Sequence, residues 1–166
     1  MSEGIQAFYE TAKAREFARD FQFRLVTLGP LSKDDLVYVR TTSLPGKSIV
    51  DNVVPYMGLD FHVPGGSKYP GSLPVKFLCD EAINVRSKLE AWMTEIFSVD
   101  TSSGKYGVPA EIATLDLLDK EFKAVRRYEF VGIYIQNLGD INYDIGGGGK
   151  PQEFDATINY QWWRPV

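Results

Sequence analysis

Apolar and polar residues alternate along most of this chain, and the pattern predicts a protein built mainly of strands. Phe21, Phe23 and Leu25 alternate with Gln22 and Arg24, so residues 21–28 predict a strand with one wet face. Gly29-Pro30 and Ser32–Asp35 supply a turn, and 36–44, rich in β-branched and aromatic residues, predicts the next strand, broken by Pro45-Gly46. Residues 46–56 hold Ile49, Val50, Val53 and Val54 before Pro55, and read as an extended segment and loop. Met57, Leu59, Phe61 and Val63 alternate with Gly58, Asp60 and His62, a strand that Pro64-Gly65-Gly66 should end. Leu73, Val75, Phe77 and Cys79 predict another, placed at a strand start or a sheet edge because Pro74 has no N–H to give.

The period changes to that of a helix in two places. Ala82, Val85, Leu89, Trp92, Met93 and Ile96 fall on one face of a helix expected over about 81–97, with Asp80 as N-cap and Glu81 in its first turn. Ile5, Phe8, Tyr9 and Ala12 predict a short amphipathic helix over about 3–15, packed on its own subunit or docked on a neighbour.

Beyond a polar loop at 98–109, residues 112–118 and 124–136 read as strands. Over 128–135 both faces are apolar: Tyr128, Phe130 and Tyr134 on one, Val131, Ile133 and Ile135 on the other, so both should be covered. Asn137–Asp140 forms a turn into 141–145, and Gly146–Gly149 is a flexible run. In 153–163 Phe154, Ala156, Ile158, Tyr160 and Trp162 face inward while Glu153, Asp155, Thr157, Asn159 and Gln161 face out. About eight strands around one central helix give a mainly β (α+β) fold: two packed antiparallel sheets or a β-barrel with one flanking helix, a single domain over 1–166.

Composition narrows the function classes. A length of 166 residues with 44% hydrophobic content supports a sizeable core, and the net charge of -4 argues against a tight nucleic-acid binder. Cys79 is the sole cysteine, so neither an internal disulfide nor a multi-cysteine metal site can form, and it reads as a small buried hydrophobe. The N-terminus lacks a basic-then-apolar layout and no apolar run approaches a membrane span, so a chain made and kept soluble in the cytoplasm, without stable membrane anchoring, is expected.

Candidate chemistry does not assemble. Gly46-Lys47-Ser48 resembles the end of a phosphate-binding loop, but Thr41 stands where its first glycine should be and Pro45 lacks an N–H. Gly149-Lys150 is followed by Pro151 instead of Ser or Thr. His62, the only histidine, lies mid-strand on a polar face with Asp60, without a nucleophile elbow or enough nearby ligands for a metal. Glu153 and Asp155 share a solvated face. No catalytic, cofactor or metal residues are therefore assigned, and the chain is read as not an enzyme.

Several strings in order resemble the tail tube family of contractile-tailed bacteriophages. They are Thr42-Ser43-Leu44-Pro45, Pro55-Tyr56-Met57-Gly58, Asp80-Glu81-Ala82 opening a helix with Arg86 and Trp92, Asn137-Leu138-Gly139-Asp140, and a final strand Phe154–Trp163. The likeness spans roughly 17–163 and departs from the family at Gly146–Gly149 and Pro30–Asp35. It implies a structural subunit of an inner tail tube, in which six copies close a ring, hairpins join into an inner β-barrel, and rings stack into a conduit for genome delivery. It also implies the partners: sheath, baseplate hub or tube initiator, tape measure and tail terminator proteins, with DNA passing unbound, in a virion tail assembled in host cytoplasm. On that reading Asp60, His62, Arg127 and Glu129 face the lumen, and Ile49, Val50, Val53 and Val54 form an inter-subunit loop. The alternatives are the tube of a bacteriocin-like or secretion-type injection particle, and a monomeric ligand-binding β-barrel.

Overall fold

A computed structural model describes residues 2–166 and gives twelve strands and three helices among them. Two four-stranded antiparallel sheets carry the core. The first orders β1 (Phe23–Leu28), β8 (Ile112–Leu118), β9 (Ala124–Val131) and β12 (Trp162–Pro165) as β1-β8-β9-β12. The second orders β2 (Val39–Thr42), β5 (Ser72–Leu78), β10 (Tyr134–Leu138) and β11 (Glu153–Asn159) as β10-β11-β5-β2. Leu25, Leu115 and Phe130 from the first meet Phe77, Phe154 and Ile158 from the second in one buried cluster. Phe77 stacks on Phe154 at 5.4 Å between ring centroids. The expected two-sheet fold with one flanking helix is present.

That helix is α3 (Asn84–Ile96), which lies along β10 and adds Val85, Leu89 and Trp92 to the core. It starts at Asn84, three residues later than the pattern predicts, because Ile83 takes a left-handed conformation (φ 55°). Asp80 still caps it from a distance: its carboxylate accepts from the Asn84 N–H at 2.8 Å. The expected turn at 32–35 is instead a helical turn, α2 (Lys33–Leu36), closed by a capping box between Ser32 and Asp35. This shortens the strand expected over 36–44 to β2. Pro74 is not at an edge, since β5 lies between β11 and β2. Pro74 is tolerated because β2 pairing stops at Thr42, whose hydroxyl donates to the Pro74 carbonyl at 3.3 Å.

Two strands change sheets at one corner, and both deceived the pattern. The continuous strand expected over 124–136 breaks at Gly132, so β9 stays in the first sheet and β10 joins the second. Phe130, Ile133 and Ile135 thus all reach the same core and are not split between two faces. The strand expected over 153–163 breaks at Tyr160-Gln161, where Gln161 N–H bonds the Val131 carbonyl at 2.9 Å. The bend reverses the alternation, turning Trp163 inward and leaving Trp162 exposed. Gly132 has φ 68°, and a Cβ there would stand 2.5 Å from Gln161 Cγ and 3.1 Å from the Pro109 carbonyl oxygen. We expect Gly132→Ala to cost about 2 kcal/mol, from left-handed strain plus the backbone contact, read as a lowered Tm.

The segment read as a loop over 46–56 is a strand. β3 (Ser48–Tyr56) pairs with β4 (Leu59–Lys68) through a tight turn at Met57-Gly58, where both residues have positive φ. Pro64-Gly65-Gly66 does not end β4. The strand absorbs the glycines at a register shift opposite Ile49–Asp51 and runs to Lys68. The polar loop at 98–109 contains a second small hairpin, β6 (Phe97–Ser98) with β7 (Ser103–Gly104). The predicted N-terminal helix is α1 (Glu3–Ala14), capped by Ser2, with no buried residue: its apolar stripe is not packed on its own domain.

Candidate assembly surfaces

Among the described residues, the surfaces left without partners include the β3–β4 hairpin, the edges of the first sheet, and the side of that sheet turned from the core. The hairpin is an arm. Every residue of both its strands is exposed, so it gains nothing from its own domain beyond its base. There Trp163 Nε1 donates to the Gly46 carbonyl at 3.4 Å and Lys47 sits over the Trp163 ring. Gly46 and Lys47, the phosphate-loop look-alike, thus anchor the arm.

Register sorts the arm into two faces. Val54 opposes Phe61, Tyr56 opposes Leu59 and Asn52 opposes Val63, so one side is apolar but for Asn52. Pro55 opposes Asp60 and Val53 opposes His62 on the other, where His62 Nδ1 meets Asp51 Oδ2 at 2.8 Å. Of the residues expected in an inter-subunit loop, Val54 lies on the apolar face, Val53 lies beside His62, Ile49 opposes Ser67, and Val50 stands in the register shift. A two-stranded ribbon is marginal alone in water, and an apolar side this long calls for a cover.

The first sheet is open at both edges, since β1 and β12 each pair on one side only. Its face away from the core carries charge in rows. Arg24, Asp116 and Arg127 are cross-strand neighbours on β1, β8 and β9. Arg127 forks onto Asp116 with Nε at 2.6 Å from Oδ1 and an NH2 contact of 3.0 Å to Oδ2, and Arg24 adds a 3.5 Å contact. Asp116 is wholly buried beneath these half-exposed guanidinia. The hydrogen bond from Arg127 holds its carboxyl below the ordinary carboxylate range in spite of burial. In the next row Glu129 accepts from Arg164 of β12 at 3.2 Å.

The four residues expected at a lumen therefore form two separate pairs. Arg127 and Glu129 are on this sheet face, and Asp60 and His62 on the arm's polar side. Asp116, the centre of the first row, was missed: an Asp in Ala113–Leu118 reads as one wet position in a strand. Glu153 is not simply solvated, because it pairs with Arg40 and with Lys76 at 3.6 Å. Cys79 is half-buried, and burial raises its thiol. A cleft of about 920 Å³ is lined by Arg40, Asp140, Asp144, Gly147–Gly149 and Glu153. Among the described residues no cluster of His, Cys, Asp and Glu is arranged to hold a metal, and no helix is long and apolar enough to cross a membrane.

The fold is shared with chains of solved contractile injection systems. It superposes on a chain of the PVC extracellular contractile injection system sheath/tube terminator in its extended state (TM-score 0.68, 12% identity, 92% of this chain and 98% of that one). It also superposes on a chain of the PVC sheath–tube complex (TM-score 0.65, 11% identity, 95% and 96%). In sequence the chain resembles the tail tube protein of Serratia phage KSP90, with 22% identity over 132 residues, 78% of this chain and 73% of that protein. No protein-family model matches the chain.

Proposed function

We propose that this chain, acting as one domain over 1–166, is the repeating subunit of the inner tube of a contractile phage tail. Six copies close into a ring, and rings stack into the conduit for genome delivery. The observation that carries this reading is a sheet with two unpaired edges beside an arm whose apolar face has no cover in its own chain. Free edges invite pairing with another chain, and closure of a ring removes them all. In this reading β1 of one copy pairs with β12 of the next, and the arm lays Val54 and its neighbours on an adjoining copy, with Ile49, Val50 and Val53 at the margins of that contact.

The sheet face with Arg127 and Glu129 becomes the lumen wall, and Asp60 and His62 keep the arm's polar side toward the same water. Cysteine accessibility in assembled tubes tests each of these positions, and protection of all four would remove the assignment. The partners are a sheath, a baseplate hub or tube initiator, a tape measure and a tail terminator. The particle assembles in host cytoplasm and the tube remains in the virion tail. The structural role is non-catalytic. Likeness to injection-system structures keeps a secretion-type or bacteriocin-like particle as the second reading, and a capsid gene beside this one would favour the phage.

Negative-stain microscopy of the concentrated protein, paired with sedimentation, tests the proposal. Rings or tubes with a central hole are expected. A monomer at every concentration, with no rings, would overturn it.

A further inference from the structure

The face of the first sheet turned from the core presents three guanidinia and two carboxylates in paired rows. An exposed arginine row on a sheet would ordinarily hold a polyanion, because each guanidinium that meets a phosphate releases counterions. Here the arginines are already engaged. Arg127 spends its Nε/NH2 edge, the edge that grips a phosphate with two parallel bonds, on Asp116. Arg24 leans on the same carboxylate, and Arg164 is turned to Glu129. Asp116 lies wholly beneath its partners, so no phosphate can take its place without uncovering a buried charge.

We propose that Asp116 and Glu129 are masking residues: they occupy Arg24, Arg127 and Arg164 so that this face repels adhesion of a phosphate polyanion passing along it. The proposal rests on the tube reading for its purpose, since a conduit that gripped DNA would not release it. The masking itself is a property of one copy. It explains why a wall can carry three arginines per subunit and still be slippery. It also makes the two carboxylates, rather than an absence of basic residues, the determinants of that slipperiness.

The test uses the full chain, the isosteric variant Asp116→Asn, and a labelled DNA duplex of about 20 base pairs at several salt concentrations. Wild type should bind weakly. Asp116→Asn frees two guanidinia, so binding at low salt should rise roughly tenfold and the log–log salt slope should steepen by about 2. Adding Arg24→Gln and Arg127→Gln to Asp116→Asn should abolish the gain. Glu129→Gln, on the less buried row, should give about half that change in slope, and it decides the matter if Asp116→Asn does not fold. Folded variants that bind the duplex no better than wild type would overturn the masking. Microscopy of the same samples separates this from the tube reading: rings without a gain in binding sink only the masking, and a gain without rings sinks only the tube.

Discussion

Phe61→Asp should leave a folded monomer that no longer forms rings or tubes. Phe61 lies in the middle of the arm's apolar face, across from Val54 and between Leu59 and Val63. It is half exposed in the free chain and is not part of the buried core, so the monomer loses little: a change in stability within about 0.5 kcal/mol is expected, with the Tm unmoved. In an assembled tube the same position is covered, and a carboxylate there is buried without a partner. The concentration needed for assembly should rise at least roughly a hundredfold, the scale of a hot spot of about 3 kcal/mol. His62→Ala, on the arm's other face, should assemble far more nearly like wild type. Sedimentation velocity across a concentration series reads both. Unimpaired assembly of Phe61→Asp would mean that the apolar face is not the docking face.

The sequence made the arm hard to see because its punctuation misleads. Pro55 and Pro64-Gly65-Gly66 ordinarily stop strands, yet Pro55 costs an exposed ribbon little and a bulge takes up the glycines. What was legible was the alternation itself: Leu59, Phe61 and Val63 against Asp60 and His62 is the division into faces that the paired strands display. The α3 stripe was legible for the same reason, since Val85, Leu89 and Trp92 repeat at helical spacing and all three are buried. The corner at Gly132 and Gln161 was not, because a change of sheet resets which residues point inward and leaves no local mark beyond one glycine. That is why Trp162, inward by parity, is exposed while Trp163 packs on the core. The charged rows were illegible for a different reason. Arg127 and Glu129 share a strand, but Arg24, Asp116 and Arg164 sit on three other strands and reach them only through strand order.

Those rows set the second large effect. Arg127→Ala should lower the Tm by on the order of 10 °C at neutral pH, because it strands a buried carboxylate with only the more distant Arg24 beside it. The loss should depend on pH in a definite direction. In the wild type, hydrogen bonds from Arg127 hold the Asp116 carboxyl below its unfolded value, so the pair stabilises the fold fully above the ordinary carboxylate range. That contribution falls away as pH drops through the depressed value, where Asp116 takes up a proton. In Arg127→Ala the carboxyl keeps its desolvation but loses its chief partner, so it protonates at higher pH and the stranded charge is relieved earlier. The gap in stability between the two proteins should therefore be widest near pH 7 and close toward pH 3. Asp116→Asn combined with Arg127→Ala should lose less than the sum of the two, since no charge is then left to strand. Denaturant melts across that pH range read the gap directly. A gap that stays constant with pH would show that Arg127 acts by packing over the sheet rather than by holding the Asp116 charge.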